Sequence, residues 1–529
     1  MKGLVASLLC VLSFFTASDL KAQDRYWVEF SDKSGSEYNP IEYLNPSAIE
    51  RRIKNNLNLN DSTDFPVNVE YVEKVQSIVD SVRVVSRWFN ALSCHATDSQ
   101  IDKLKDLPFV TDITPFQSSR KQISRFPQKS MSMSMRERSV LKAQTEIMQA
   151  ERFQMMDIYG QGVKVAVFDV GFKSVDEREE FKHLFHNDQV IGTWDFVGNS
   201  PRVYHGGTHG TSVLSCIAGM IDSIPVGLAT KADFLLARTE RNLLELKSEE
   251  DFWLAAAEWA DQNGAHIISS SLGYTKQRYF WEDMDGQTSL VSRAANMAAS
   301  KGIIVLNSAG NDGDSDWEYL GAPADADSVL AIGGIDPWTG FTTVFSSFGP
   351  TADERQKPNL TMFGHATTVS PKGVEMAAGT SFSCPLVAGF AACAIQANPD
   401  LNWEQLFELL EMSGNMYPYA DLVHGYGIPR AERVLDPIAK AEKTFRIESL
   451  SNSLLVKLND SIAEDHVHKE ASLPLYVFYK IVGKDSLIKY FAVSWPEGNT
   501  GARISKARLE QGDVVHVFYK GYYEIYTYN

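Results

Sequence analysis

The sequence predicts an α/β protein whose centre is a parallel sheet covered by helices on both faces, with a small α+β unit before it and a small antiparallel β unit after it. Three observations carry this. Five short apolar runs, VKVAVF, DFLLAR, AHIISSSLG, GIIVLNSAGN and SVLAIGG, alternate with helical stretches such as EEDFWLAAAEWADQNG and TSLVSRAANMAASKG. Strands buried on both faces read as continuous apolar runs, so this alternation describes a doubly covered parallel sheet. Before it, strand-like and helix-like segments interleave in a short unit; after about Thr444, stretches such as LLVKL, LPLYVFYKIV and DVVHVFYK describe antiparallel strands of a sandwich.

In chain order, residues 1–22 read as an export signal. Lys2 precedes an apolar run from Leu4 to Phe15, then small and polar residues lead to Ala22 and Gln23. That run is too short to span a bilayer, and no later stretch approaches about 20 continuous apolar residues. A secreted, periplasmic or cell-surface location with no transmembrane segment is therefore expected. Cys94, Cys216, Cys384 and Cys393 remain beyond the signal, too few and too scattered to read a disulfide framework. Cys384 and Cys393 share one predicted helix about 13 Å apart along its axis, which rules out a bridge between them.

Residues 23–116 form the first unit. YWVEF and FVTDITPF read as strands, SAIERRIKNN and DSQIDKLKDLP as helices, and VRVVSRWFNALSCHAT as β structure. Residues 117–139 change to the basic, Ser- and Met-rich QSSRKQISRFPQKSMSMSMRERS, with no period that could bury; this reads as a solvated linker. The main domain, 140–443, opens with one helix, VLKAQTEIMQAERFQMMDIYG. The last unit, 444–529, ends on a tyrosine-rich stretch read as core and cross-strand pairs. The formal net charge of −17 argues against nucleic acid as a partner.

Ligands of an open α/β sheet bind at the carboxyl ends of its strands, where Asp169, Ser271–Gly273 and Asn311 fall. The stretch AAGTSFSCPLVAGFAAC brings Ser381 to the start of an apolar helix, beside free N–H groups and the positive end of the helix dipole. Pro385 is expected in that helix's first turn, the place proline tolerates. A serine hydroxyl needs an imidazole to take its proton, and the imidazole needs a carboxylate to hold it. His209 in THGTSVLSCIAG and Asp169 in VAVFDVGF supply both, in the chain order Asp, His, Ser. Asn311 in SAGN offers a side-chain donor to an oxyanion, with the Ser381 N–H as its companion.

HGTS with a trailing IAG, SSSLG, SAGN, FSSFGP and GTSFSCPLVAG, in this order, resemble the subtilisin-like serine proteases over roughly residues 140–440. The resemblance implies a subtilisin-like fold and serine endopeptidase activity on polypeptide substrates, through a triad of Asp169, His209 and Ser381 with Asn311 completing the oxyanion hole. It implies substrate contacts from Ser271, Leu272, Gly273, Ala309 and Gly310. It also makes the first unit an inhibitory, ferredoxin-like prodomain and the basic linker a processing site, hence a zymogen. Two positions depart from the family's pattern: Val170 follows the aspartate where Ser or Thr is usual, and Phe382-Ser383-Cys384-Pro385-Leu386 follows the serine in place of Met-Ala-Ser-Pro-His.

Rival assignments are weaker. His205 is also followed by glycine but lacks the Gly-Thr leading into the helix, and Asp195 in TWDFVG is a second strand-end carboxylate. Asp312, Asp314 and Asp316 alternate as a calcium loop would, yet Gly313 and Trp317 break the pattern, so an acidic turn is the better reading and no metal site is assigned. No cofactor is required for the chemistry, and structural calcium has no support in the sequence. His183 with His186, and His466 with His468, have no further ligands nearby in sequence. A catalytically silent binding or adhesive protein that retains the fold is the alternative reading.

Overall fold

The computed structural model describes residues 24–116, 135–241, 248–276, 278–436, 442–459, 476–483, 487–494 and 501–529. The export segment, residues 117–134 of the basic stretch, and His466 with His468 lie outside the described residues.

The centre is a seven-stranded sheet in the order Leu360–Phe363, Val329–Ile335, Ile304–Ser308, Ile267–Ser270, Lys164–Asp169, Asp233–Arg238, Val190–Asp195. Every pair is parallel. Five of these strands are the apolar runs of the sequence. The two edge strands escape that reading for physical reasons: Val190–Asp195 is only partly buried, and Leu360–Phe363 is four residues long. Because side chains alternate along a strand, Val165 and Val167 face the layer that contains helices His209–Ala218 and Thr380–Ala397. Ala166 and Phe168 face helices Ser248–Gln262 and Leu290–Ser300.

The first unit is a four-stranded antiparallel sheet in the order Ser81–Ser86, Ala91–Ala96, Asp24–Phe30, Val110–Phe116, with helices Val69–Gln76 and Asp98–Lys105 in the connections. This is the ferredoxin-like arrangement. Val28 and Phe30 point into its own core, while Trp27, one step out of phase, packs into the layer of helix Ser248–Gln262.

That junction is charged as well as apolar. Asp251, Glu258 and Asp261 lie seven and three residues apart, on one face of the helix. Arg25 pairs with Asp251, and Arg87 with Glu258 at 3.2 Å. Asp261 receives Arg51, Arg52 at 2.9 Å and Arg87 at 2.6 Å. Lys301 crosses in the other direction to Asp64 at 3.3 Å. Burial pushes the Asp261 carboxyl up, but the three guanidinium groups outweigh it and hold the carboxyl below its ordinary range. Removing one partner from such a buried network leaves a charge with neither water nor counter-ion.

The chain entering the main domain differs from the single helix expected. Helix Met135–Glu146 begins inside the basic stretch and is separated from helix Ala150–Gln154 by Gln149, whose φ of 63° no helix accommodates. The carboxy-terminal unit has a three-stranded sheet (Phe445–Ser449, Ser453–Leu458, Gly501–Ser505) and a four-stranded one (Leu487–Ser494, Tyr476–Val482, Val514–Tyr519, Tyr522–Thr527), both antiparallel. Leu454 and Ile504 of one sheet share a core with Val477 and Val515 of the other, which makes a sandwich. Met416 and Tyr419 of the main domain pack against Phe518, and Lys480 donates to the carbonyl of Ala420 at 2.7 Å.

Candidate active site

Asp169 ends its strand fully buried, and its carboxylate accepts the Val170 N–H at 2.8 Å. With Val170 in place of Ser or Thr the carboxylate still has this bond, since it comes from the backbone. His209 opens its helix, and its Nδ1 lies 3.0 and 2.9 Å from the two carboxylate oxygens of Asp169. A carboxylate only accepts, so Nδ1 carries the proton and Nε2 is left as the basic nitrogen. Burial lowers the pKa of this imidazole, but the charge of Asp169 and its hydrogen bond outweigh that and raise it above the ordinary histidine value. The approach of the two segments is tight: a Cβ at Gly210 would lie 2.4 Å from the carbonyl oxygen of Gly171 and 2.9 Å from the Asp169 Cβ.

Ser381 is the second residue of helix Thr380–Ala397, and Gly379 before it has φ 147°. The phenyl ring of Phe382 lies 5.6 Å from the His209 ring. The Ser381 hydroxyl donates to the Ser271 carbonyl at 3.5 Å, and its bond is not to His209. Such hydrogen bonds are often loose without substrate and tighten in the complex.

Pro385 is not in the first turn as expected but inside the helix, four residues after Ser381. A helix interior tolerates it here because the carbonyl it leaves without a partner, that of Ser381, accepts the Ser271 hydroxyl at 2.8 Å instead.

Asn311 is exposed, and its Oδ1 accepts the N–H of Thr380 at 2.8 Å and the Thr380 hydroxyl at 3.0 Å. A backbone N–H can only donate, which fixes the amide's orientation and turns its NH2 away. The Ser381 N–H has no hydrogen-bond partner among the described residues. Two donors, the Asn311 Nδ2 and the Ser381 N–H, are thus free at the start of the helix.

Ser271 and Leu272 follow strand Ile267–Ser270 and are buried, while Gly273 makes no backbone hydrogen bond among the described residues and a Cβ there would meet nothing within 4 Å. The Leu272 carbonyl is taken by the Asn307 amide at 2.8 Å. Ala309 is buried in an apolar cluster with Leu320, Ala324 and Ala331. Gly310, at φ 116°, accepts the Thr380 hydroxyl at 3.1 Å.

The rival residues are engaged elsewhere. Asp195 takes Arg238 at 2.8 Å, and His205 lies 3.4 Å from the same carboxylate oxygen. Asp312 accepts the Ser315 hydroxyl at 3.3 Å within its own turn. Sequence reasoning missed Asn307 and Thr380 as supports, and Arg238 as the partner of Asp195. Asn307 could have been found, being a polar residue at the end of the apolar run IIVLNS; Arg238 could not, because its partners are distant in sequence.

The family profile described as the subtilase family matches residues 160–428, and that of the peptidase S8 propeptide domain of Bacteroidota matches residues 25–132. The chain is 29% identical over 280 residues to a thermostable alkaline protease of Halalkalibacterium halodurans, covering 52% of this chain and 68% of the relative. It is 31% identical over 254 residues to alkaline elastase YaB of a Bacillus species, covering 47% and 59%. To subtilisin BL of Lederbergia lenta it is 29% identical over 279 residues, covering 52% and 90%. Among solved structures, an epidermin leader peptide processing serine protease of Staphylococcus aureus, in a serine-to-alanine mutant form, shares the fold at a TM-score of 0.54 and 16% identity, over 79% of this chain and all of that one.

Proposed function

The chain belongs to the subtilase family of serine endopeptidases, and from that premise we propose that Asp169, His209 and Ser381 are its catalytic triad, with the Asn311 amide and the Ser381 N–H as oxyanion donors. His209 Nε2 takes the Ser381 proton as the hydroxyl attacks the scissile carbonyl. The tetrahedral oxyanion is held by the two free donors at the helix start, where the dipole also favours negative charge. Protonated His209 then gives its proton to the leaving amine. Water repeats the sequence on the acyl-enzyme, and every group in the scheme belongs to the chain itself.

The observation that carries this reading is the contact of His209 Nδ1 with both oxygens of buried Asp169. It supports one tautomer with Nε2 free, which is the form a general base requires. A substrate main chain pairs along Ser271–Gly273 by strand addition, where the unbonded backbone of Gly273 is available; Ala309 and Gly310 are the further substrate contacts in this reading. The first unit, matched by a propeptide profile, serves as the prodomain of a zymogen. The units run 23–116 for the prodomain, 117–139 for the linker, 140–443 for the catalytic domain and 444–529 for the β domain, after an export signal at 1–22. Processing falls in the linker and the protein acts outside the cytoplasm. No observation favours the silent binding protein.

The test is the Ser381→Ala chain, expected to accumulate as intact precursor on a gel and to hydrolyse no peptide. Maturation of that variant without added protease would contradict self-processing.

A further inference from the structure

Three charged residues stand side by side at the carboxyl ends of neighbouring strands. In the parallel register Asp169 pairs with Arg238, and Arg238 pairs in turn with Asp195. Register partners in a parallel sheet point to the same face and sit about 5 Å apart. Arg238 therefore stands between two buried aspartates on neighbouring strands, Asp169 at 0% and Asp195 at 1% exposure.

The structure sorts them. Arg238 Nη1 bonds Asp195 at 2.8 Å, and its Nε bonds the Val170 carbonyl at 3.1 Å. Asp195 is itself anchored, accepting the Gly198 N–H at 2.8 Å, and its strand end is closed by a pair of backbone bonds to Ser200 at 2.7 and 3.1 Å. His205 Nε2 donates to the Arg202 carbonyl at 2.9 Å and lies 3.4 Å from Asp195. Asp169 is left with His209, the Val170 N–H, and the Thr239 N–H, which its main-chain carbonyl accepts at 3.0 Å.

We propose that Asp195 is a positioning residue for catalysis: it engages the Arg238 guanidinium and so keeps that cation off Asp169, leaving the Asp169 carboxylate to His209. Without Asp195, the remaining charged register partner of Arg238 is Asp169, and an arginine drawn to it displaces or neutralises the partner of the imidazole. This rests on the triad reading above, and it gives the rival carboxylate of the sequence a role that is neither catalytic nor merely structural.

The test compares Asp195→Asn, Arg238→Met and the double variant in the full-length chain, with rates normalised to active-site titre by a fluorophosphonate. Asp195→Asn keeps the acceptor for the Gly198 N–H but loses the charge. It is expected to lower kcat about 10-fold or more with KM within about 2-fold, since misplacement by about 1 Å alone can cost 10²-fold. Its acid limb of kcat/KM should move to lower pH, because Asp169 is what raises the His209 pKa. Arg238→Met and the double variant, having no cation to compete, should stay within about 3-fold of the parent with the acid limb where the parent has it. A parental kcat in Asp195→Asn, or a double variant no better than Asp195→Asn, would overturn the proposal. Should Asp195→Asn not fold, a 10-fold loss in Arg238→Met alone would do the same. A His209→Ala control separates the two levels: if it retains activity, the triad reading fails rather than this one.

Discussion

The Ser271 hydroxyl donates to the Ser381 carbonyl at 2.8 Å, at the point where Pro385 leaves that carbonyl without its helical donor. A proline inside a helix ordinarily costs about 3 kcal/mol or more; here one side-chain bond from the neighbouring strand end satisfies the group it orphans. The helix bearing Ser381 is thereby tied to the segment along which substrate is proposed to lie.

The first prediction concerns that tie. Ser271→Ala leaves a buried carbonyl unpaired and should destabilise the fold by about 1–3 kcal/mol. In a Pro385→Ala background the restored N–H can take the carbonyl, and Ser271→Ala should then cost markedly less. Denaturant titration of the four chains, all carrying Ser381→Ala to prevent autolysis, measures the coupling; additive losses would show that Pro385 and Ser271 do not share the carbonyl.

Asn311→Ala removes one of the two free donors at the helix start while leaving Ser381 and His209 in place. Turnover should fall by about 10²- to 10³-fold, the usual cost of deleting one oxyanion donor, with little change in KM. Steady-state kinetics on a peptide substrate checks this, and a raised KM with kcat unchanged would point to substrate binding instead.

The pH dependence follows from the raised His209 pKa. In the proposed mechanism activity needs the neutral imidazole, so kcat/KM should rise with pH through a value above about 6.5, the ordinary histidine pKa. In Asp169→Asn the raising influence is gone and burial remains, so the limb should move to lower pH as the rate collapses. The folding contribution has the opposite sense: the imidazole's raised pKa adds stability that is fully present below about 6.5 and is lost as pH rises through the folded value. A limb that stays in place in Asp169→Asn would show that the carboxylate does not act on His209.

Much of this arrangement was legible in the sequence. Five of seven sheet strands were continuous apolar runs, and Asp169, His209, Asn311 and Ser381 each stood near a strand end or helix start with a glycine within two residues. What was not legible depends on pairs distant in sequence. Pro385 belonged in a first turn by local rules, and only the Ser271 hydroxyl, 110 residues away from the carbonyl it serves, permits it in the helix interior. Likewise Arg25, Arg51, Arg52 and Arg87 read as ordinary strand and helix residues, because their carboxylates stand on a helix more than 150 residues later.

That network yields the fourth prediction. Asp261→Asn leaves Arg51, Arg52 and Arg87 around a neutral amide, and breaking a buried pair costs about 3–5 kcal/mol. The inhibition proposed for the first unit as prodomain should weaken by two orders of magnitude or more, since about 1.4 kcal/mol is tenfold. Inhibition titration with the separately added unit reads this directly; an unchanged inhibition constant would mean that the apolar contacts of Trp27 and its neighbours hold the junction.

The most direct measurement is covalent labelling of the processed protein with a fluorophosphonate, followed by mass spectrometry of the modified peptide. A serine activated by His209 and flanked by two oxyanion donors should react at Ser381 alone, and His209→Ala or Ser381→Ala should abolish the label. A processed, folded protein that takes up no label, or takes it up elsewhere, would contradict the triad.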